Sequence, residues 1–203
     1  LFKMINGAKI KKVKIYNKNL RYKLKPAFCS QLVSEKIIKI SRRSKYLIFH
    51  LKKKILLAHL GMTGKFIILE QKNNEVFKTS FYYDLNILKK HNHVYFTLSN
   101  NLILIYNDVR RFGFLKIYNT KRLNDIKFIN KLGIEPLSKS FNIVYFVKKI
   151  VKKKKNIKNL LMDQTFVSGL GNIYVNEALF LARINPLRKC KTIKTLEIKK
   201  LIF

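Results

Sequence analysis

The sequence predicts an α+β protein of two domains, an antiparallel β domain (sandwich or barrel) followed by a helical one. Three observations carry this. Up to residue 118 the apolar residues fall in short runs rich in β-branched and aromatic side chains, separated by tight polar breaks. No long helical pattern interrupts those runs, so the strands must pair through short connections. After about Leu123 the apolar residues recur at helical spacing instead. The expected boundaries are 1–118 for the β domain, 119–132 for a connector and 133–203 for the helical domain. A chain of 203 residues can bury two cores of this kind.

Seven strands are expected: Lys9 to Tyr16, Lys45 to Leu51, Ile55 to Leu60, Lys65 to Leu69, His93 to Leu98, Leu102 to Tyr106 and Phe112 to Tyr118. The breaks between them read LKKK, HLGMTG, SNN and NDVRR. The segment Gln71 to Lys90 reads as a long loop or an insertion. Asp125 to Gly133 reads as a short helix ended by glycine, with Pro136 barring continuation. Asn142 to Lys153 spaces Ile143, Phe146, Val147, Ile150 and Val151 on one helical face. Asn156 to Asp163 is a further short helix. Asn172 to Ile184 is another, with Ile173, Ala178, Leu179 and Leu181 or Ala182 available for a core. A last helix starts near Thr195.

Composition narrows the function. With 44 Lys and Arg against 10 Asp and Glu, the formal net charge is +34. Such self-repulsion fits a polyanion partner: DNA, RNA or an anionic membrane. Two cysteines far apart in sequence argue against a disulfide framework and against a Cys-type zinc site within the chain, and fit a reducing compartment. No uncharged apolar run reaches transmembrane length. Both ends read as cut.

Several stretches can carry chemistry. VSGLGNIYVNEALF sets two glycines just before a helix N-terminus, where backbone N–H groups can meet a phosphate. Asn172 there can cap the helix or bind phosphate; equally, the turn can be packed for its own sake. NDVRRFG places Arg110, Arg111 and Phe112 between two strands, as a DNA probe or as a solvated hairpin tip. Met62 in HLGMTG is core filler or a probe. Lys45 heads a strand. His91 and His93 would share a face if extended, but no third ligand lies nearby, so a metal site is not expected. The acids Asp108, Asp163, Glu135 and Glu177 stand in structured stretches without defining a catalytic pair.

Taken together, RRSKYL, HLGMTG, KHNHV, DVRRFG, LGIEPLS, IKNLLMDQ and VSGLGNIYVNEALF resemble the formamidopyrimidine-DNA glycosylase family, in the family's order and over nearly the whole chain. The resemblance implies an N-terminal β-sandwich, a C-terminal helix–two-turn–helix domain, and DNA between them. It implies excision of oxidised purines such as 8-oxoguanine and formamidopyrimidines, then cleavage at the abasic site. Alternatives are an endonuclease VIII-like pyrimidine glycosylase, or a DNA-binding remnant of such an enzyme.

Residue by residue, Lys45 matches the family's proton donor in β-elimination. His59, His91, Arg110, Arg111, Lys153, Lys158 and Asn172 match DNA-contacting positions. Met62, Arg110 and Phe112 match the trio that fills the hole left by a flipped nucleotide. The family's N-terminal proline nucleophile and its C-terminal zinc finger find no match in this chain. No cofactor is therefore expected here, and zinc is expected only in a full-length member. On the missing amine and finger, the chain itself is expected to bind DNA weakly and not to complete glycosylase chemistry. The implied partner is double-stranded DNA with an oxidised base, met by a monomer in a bacterial cytoplasm, on the nucleoid and not at a membrane.

Overall fold

The computed structural model of the chain describes residues 2–72, 76–77, 89–151 and 153–202. The chain forms two compact units, Leu1–Asn124 and Asp125–Phe203.

The first unit opens with one helical turn, α1 (Phe2–Ile5), and continues with strands β1 (Ile10–Ile15), β2 (Ile37–Arg43), β3 (Tyr46–Leu51), β4 (Lys54–His59), β5 (Gly64–Glu70), β6 (Val76–Phe77), β7 (Asn92–Leu98), β8 (Leu102–Asp108) and β9 (Phe114–Asn119). They build two antiparallel sheets, ordered β1-β7-β8-β5-β6 and β2-β3-β4-β9. Alternating side chains bury one face of each sheet in a shared core. Phe49, Leu56, Ala58 and Leu115 from one sheet join Phe66, Phe96, Leu104 and Tyr106 from the other. The Phe49 and Phe66 rings meet edge to face at 5.1 Å.

Register places the chain's crossings between the sheets. His59 at the end of β4 pairs with Phe114 at the start of β9. Gly64 at the start of β5 pairs with Asp108 at the end of β8. The chain therefore passes from one sheet to the other twice at the same end, through residues 60–63 and 109–113. The NDVRRFG segment is one of these crossings and not a hairpin tip. Phe112 lies outside the strand expected to begin with it, because β9 starts at Phe114. The strand β2 went unpredicted: its IIKISRR sequence mixes apolar and basic residues, and only Ile37 is buried. That pattern suits an edge strand, whose cations discourage further pairing. Most of Gln71 to Lys90 lies outside the described residues.

The second unit contains α2 (Lys127–Asn130), α3 (Ile143–Ile150), α4 (Ile157–Met162), α5 (Asn172–Leu181) and α6 (Thr195–Ile202). The Asn142 and Asn156 side chains cap α3 and α4 by accepting the N–H groups of Tyr145 and Asn159. Phe146, Ile150, Leu160, Leu161, Val175, Leu179, Ala182 and Ile198 pack into one core. Two expectations fail here. The face that α5 buries runs through Val175, Leu179 and Ala182, so Leu179 is in the core as expected, Ala182 and not Leu181 is the buried alternative, and Ile173 is 74% exposed. The α3 helix stops at Ile150, leaving Val151 exposed, where the run of lysines begins. Among the described residues no helix is long and apolar enough to cross a membrane.

Candidate nucleic-acid interface

The two sheet crossings form one structure at the tip of the β unit. Arg110 Nη1 donates to Met62 Sδ at 3.2 Å, and the Arg110 guanidinium lies 5.9 Å from the Phe112 ring centre. Met62 and Phe112 are 73% and 53% exposed. Beneath them Asp108 is fully buried. Its Oδ1 accepts the Thr63 hydroxyl at 2.6 Å, and its Oδ2 accepts the Gly113 N–H at 2.8 Å and the Tyr106 hydroxyl at 3.2 Å. Thr63 Oγ1 in turn accepts the Arg110 N–H at 3.0 Å. Burial first, then the Asp108 charge and hydrogen bond, push the Tyr106 phenol far above its ordinary range, so it stays a donor.

The backbone here allows little variation. Arg111 is exposed and adopts φ 59°, a left-handed conformation that costs a non-glycine residue about 1–2 kcal/mol. Gly113 is obligatory for space: a Cβ on it would lie 2.0 Å from Tyr106 Oη and 2.4 Å from the His59 carbonyl.

A cationic cluster lies on the neighbouring sheet. Lys45 sits with Ser44 in the two-residue turn between Arg43 and Tyr46, the last pair of the β2–β3 ladder. Ser44 takes φ 55°, and the Arg42 guanidinium donates to its carbonyl at 2.9 Å. Lys45 is exposed, yet partial desolvation of its ammonium lowers its pKa. His59 stacks on Phe114 at 5.6 Å, and its Nδ1 accepts the Gly61 N–H at 3.0 Å. The neutral ring then carries its proton on Nε2, a hydrogen-bond donor. Burial first, then Arg21 and Lys45, lower the His59 pKa and keep the ring neutral at physiological pH. The backbone N–H of Arg21 is tied to the Gly113 carbonyl at 3.2 Å.

In the second unit IKNLLMDQ and VSGLGNIYVNEALF form a helix, two turns and a helix, with α4 and α5 as the two helices. The first turn folds on Asp163, which accepts the Thr165 N–H and hydroxyl through Oδ1 and the Lys155 ammonium through Oδ2 at 2.6 Å. Lys155 first, with Thr165 adding to it, holds the Asp163 carboxyl down at about 2. The second turn folds on Gln164. Its Oε1 accepts the Gly169 N–H at 2.9 Å, while its Nε2 donates to the carbonyls of Leu170 at 2.9 Å and Met162 at 3.2 Å. The LGIEPLS segment supports the turn from behind. Ser168 donates through its N–H to the Ile134 carbonyl and through its hydroxyl to that of Gly133, which comes so close to Phe166 that a Cβ would lie 2.3 Å from its carbonyl.

The helix α5 begins after this turn. Gly171 is its N-cap, so Asn172 is the first helical residue and not the cap; its side chain is exposed. The first bond within α5 runs from Val175 N to Gly171 O. The preceding N–H groups of Asn172, Ile173 and Tyr174 have no acceptor inside the helix, which favours an anion there. Lys158 is the second residue of α4, and Lys153 lies between α3 and α4, both half-exposed.

Met62, Arg110 and Phe112 are thus brought together, as are Lys45 and His59. His91 closes a 3-10 turn before β7, at the end of the sheet where Asn92 pairs with Asn107, the same end as the two crossings. His93 does not share a ligand face with it. That ring is buried, with Nε2 on the Asp108 carbonyl at 2.7 Å. Among the described residues no three His, Cys, Asp or Glu side chains group as metal ligands. Cys190 is buried in the helical core and Cys29 packs on the sandwich core, so these residues do not fit a zinc site. Asp108 and Asp163 are each committed to local hydrogen bonds.

Sequence reasoning missed Arg21, Thr63 and Gln164. Arg21 reads as one basic residue among many, and only its tie to Gly113 reveals it. Gln164 carries a local signal, a glutamine five residues before a glycine turn.

Two family descriptions match the chain: the formamidopyrimidine-DNA glycosylase N-terminal domain over residues 1–115, and the formamidopyrimidine-DNA glycosylase H2TH domain over 132–202. The formamidopyrimidine-DNA glycosylase of Rickettsia bellii is 46% identical over 197 residues, covering 97% of this chain and 67% of that protein. That of Bartonella tribocorum is 40% identical over 195 residues, covering 94% and 65%. The chain thus spans about two thirds of the length of these relatives. Among solved structures, the Lactococcus lactis Fpg in complex with an abasic site containing DNA superposes with a TM-score of 0.81 at 32% identity, over 98% of this chain and 69% of that one. A variant of that protein in complex with a Fapy-dG containing DNA gives 0.82 with the same identity and coverage.

Proposed function

The chain belongs to the formamidopyrimidine-DNA glycosylase family, and from that premise we propose that it grips damaged duplex DNA in base-excision repair. The reaction is removal of an oxidised purine, 8-oxoguanine or a formamidopyrimidine, followed by nicking at the abasic site. To reach its target an enzyme of this kind extrudes the nucleotide, and something must hold the space left behind. Met62 and Phe112 supply apolar volume for it, and Arg110 supplies donors for the orphaned partner base. The observation that carries the reading is the meeting of these three exposed side chains on two separate crossings of the sandwich.

The remaining residues hold the backbone. The neutral His59 ring donates Nε2–H to a phosphate, with Arg111 and His91 on the same unit. On the helical unit, Asn172 and the N–H groups at the start of α5 grip a phosphate at close range, and Lys153 and Lys158 add charge. A neutral glycine turn suits this role, because bulky side chains would keep the backbone dipoles away from the DNA. Lys45, with its lowered pKa, donates the proton in β-elimination. No nucleophile is assigned among the described residues.

The test uses the full-length protein with duplexes carrying 8-oxoguanine or oxidised pyrimidine, resolved on denaturing gels. Strand scission at 8-oxoguanine that Lys45→Gln lowers, with binding of an abasic duplex kept, is the expected result. Scission at oxidised pyrimidines alone would move the protein to the endonuclease VIII-like reading. No scission on any lesion, with abasic-duplex binding retained, would leave a DNA-binding remnant.

A further inference from the structure

We propose that Asp108 is a positioning residue that locks the two sheet crossings into one body, with Thr63 as its relay, so that Met62, Arg110 and Phe112 enter DNA together. This rests on the reading of those three side chains as the group that fills an extruded nucleotide's place.

The two crossings are 46 to 53 residues apart in sequence and share no ladder, since residues 60–63 and 109–113 lie outside the strands. Ladder pairs flank them, His59 with Phe114 and Gly64 with Asp108, and between those pairs one buried carboxylate ties both crossings together. Its Oδ1 reaches the first crossing through the Thr63 hydroxyl, and its Oδ2 reaches the far end of the second through the Gly113 N–H. Thr63 both donates to Asp108 and accepts the Arg110 N–H. The hydroxyl therefore couples the backbone of Arg110 to the strand residue that anchors Gly113, with Arg111 held in its left-handed conformation between them. The Asp108 carbonyl is itself fixed by His93 Nε2. A carboxylate accepts from several donors at once without offering a competing one, whereas an amide in its place would set an N–H₂ against one of these donors. The exposed side chains touch one another through Arg110 but have little packing beneath them: Met62 and Phe112 are more than half exposed. Their placement must come from the backbone that carries them.

The test compares Thr63→Val, Thr63→Ser, Asp108→Asn and Met62→Ala in the full chain. Affinities are measured for a tetrahydrofuran abasic-site duplex and for the undamaged duplex at one salt concentration, with amide exchange at Arg110 and Gly113 and the melting temperature of each variant. The expected result is a wild-type preference for the abasic duplex that falls tenfold or more in Thr63→Val and Asp108→Asn, with undamaged-duplex affinity within twofold. Exchange at Arg110 should speed up in both, and Thr63→Ser should keep the wild-type preference. If Asp108→Asn fails to fold, the two Thr63 variants decide alone. A wild-type preference in Thr63→Val, while Met62→Ala loses it, overturns the inference and leaves the void-filling reading standing. Loss of preference in Thr63→Ser as well as Thr63→Val overturns it too, because packing and not the hydroxyl would then be responsible. A wild type with no preference, unchanged by Met62→Ala, overturns the void-filling reading and the inference together.

Discussion

Replacing Gln164 with alanine isolates the contribution of the glycine turn, because this uncharged side chain touches the turn and stands outside the proposed phosphate contacts. The substitution removes one bond to the Gly169 N–H and two from Nε2 to the carbonyls of Leu170 and Met162. A partly buried neutral hydrogen bond contributes about 1 kcal/mol net, so the ordered turn loses about 2–3 kcal/mol relative to looser conformations. Only the ordered turn presents the start of α5 to a phosphate, so apparent affinity falls with the fraction of molecules holding that conformation. Part of the loss is absorbed by the turn's own excess stability. The expected net effect is about a tenfold to thirtyfold rise in Kd for an abasic-site duplex.

The assay is fluorescence anisotropy across a salt series. No phosphate contact by charge is removed, so the slope of log K against log salt stays unchanged. Lys158→Gln, by contrast, is expected to reduce that slope by about 0.9. Binding by Gln164→Ala within twofold of the wild type would refute the reasoning. So would a loss of affinity that came with a reduced salt slope.

Other expectations follow from the same geometry. Gly113→Ala forces a Cβ to 2.0 Å from Tyr106 Oη, and a destabilisation of about 3 kcal/mol is expected, read as a fall in the denaturant midpoint; an unchanged midpoint would contradict the packing described. Lys155 depresses the Asp163 pKa to about 2, below its unfolded value of about 3.9, so its stabilisation is complete above that value and is lost as pH falls from about 4 to 2. The pair is partly exposed, so screening leaves about 1–2 kcal/mol, and Asp163→Asn should flatten the acid limb of the helical unit's stability curve. The His59 pKa is lowered, so His59→Gln should leave the pH dependence of DNA affinity between pH 7 and 8 as it is in the wild type; a change in that window would show a protonated ring there.

Elements with a clear apolar pattern were legible in the sequence. The strands around Phe49, Phe66 and Tyr106 are short, nearly continuous apolar runs bounded by polar breaks, and the α3 residues Phe146 and Ile150 repeat at helical spacing; both core sets are buried. The β2 strand was not legible because its basic residues match those of the loops. The α5 face was misread because apolar residues surround the whole helix: Ile173 and Phe180 stand in solvent while Val175 and Leu179 are buried, and local spacing cannot choose between them. The proposed site was legible as motifs, but its supports were not. Nothing local joins Thr63 to Asp108, a hydrogen bond spanning 45 residues. Arg21 near His59 depends on the same long-range packing.

The central claim is that exposed side chains of the two crossings enter the duplex. Its most direct measurement is the fluorescence of 2-aminopurine placed beside a tetrahydrofuran site, read at saturating protein. Insertion unstacks that base, so the account predicts a rise in emission with the wild type that Phe112→Ala and Met62→Ala each diminish at equal occupancy. Saturated binding with no rise in emission, or the same rise in both variants, would contradict it.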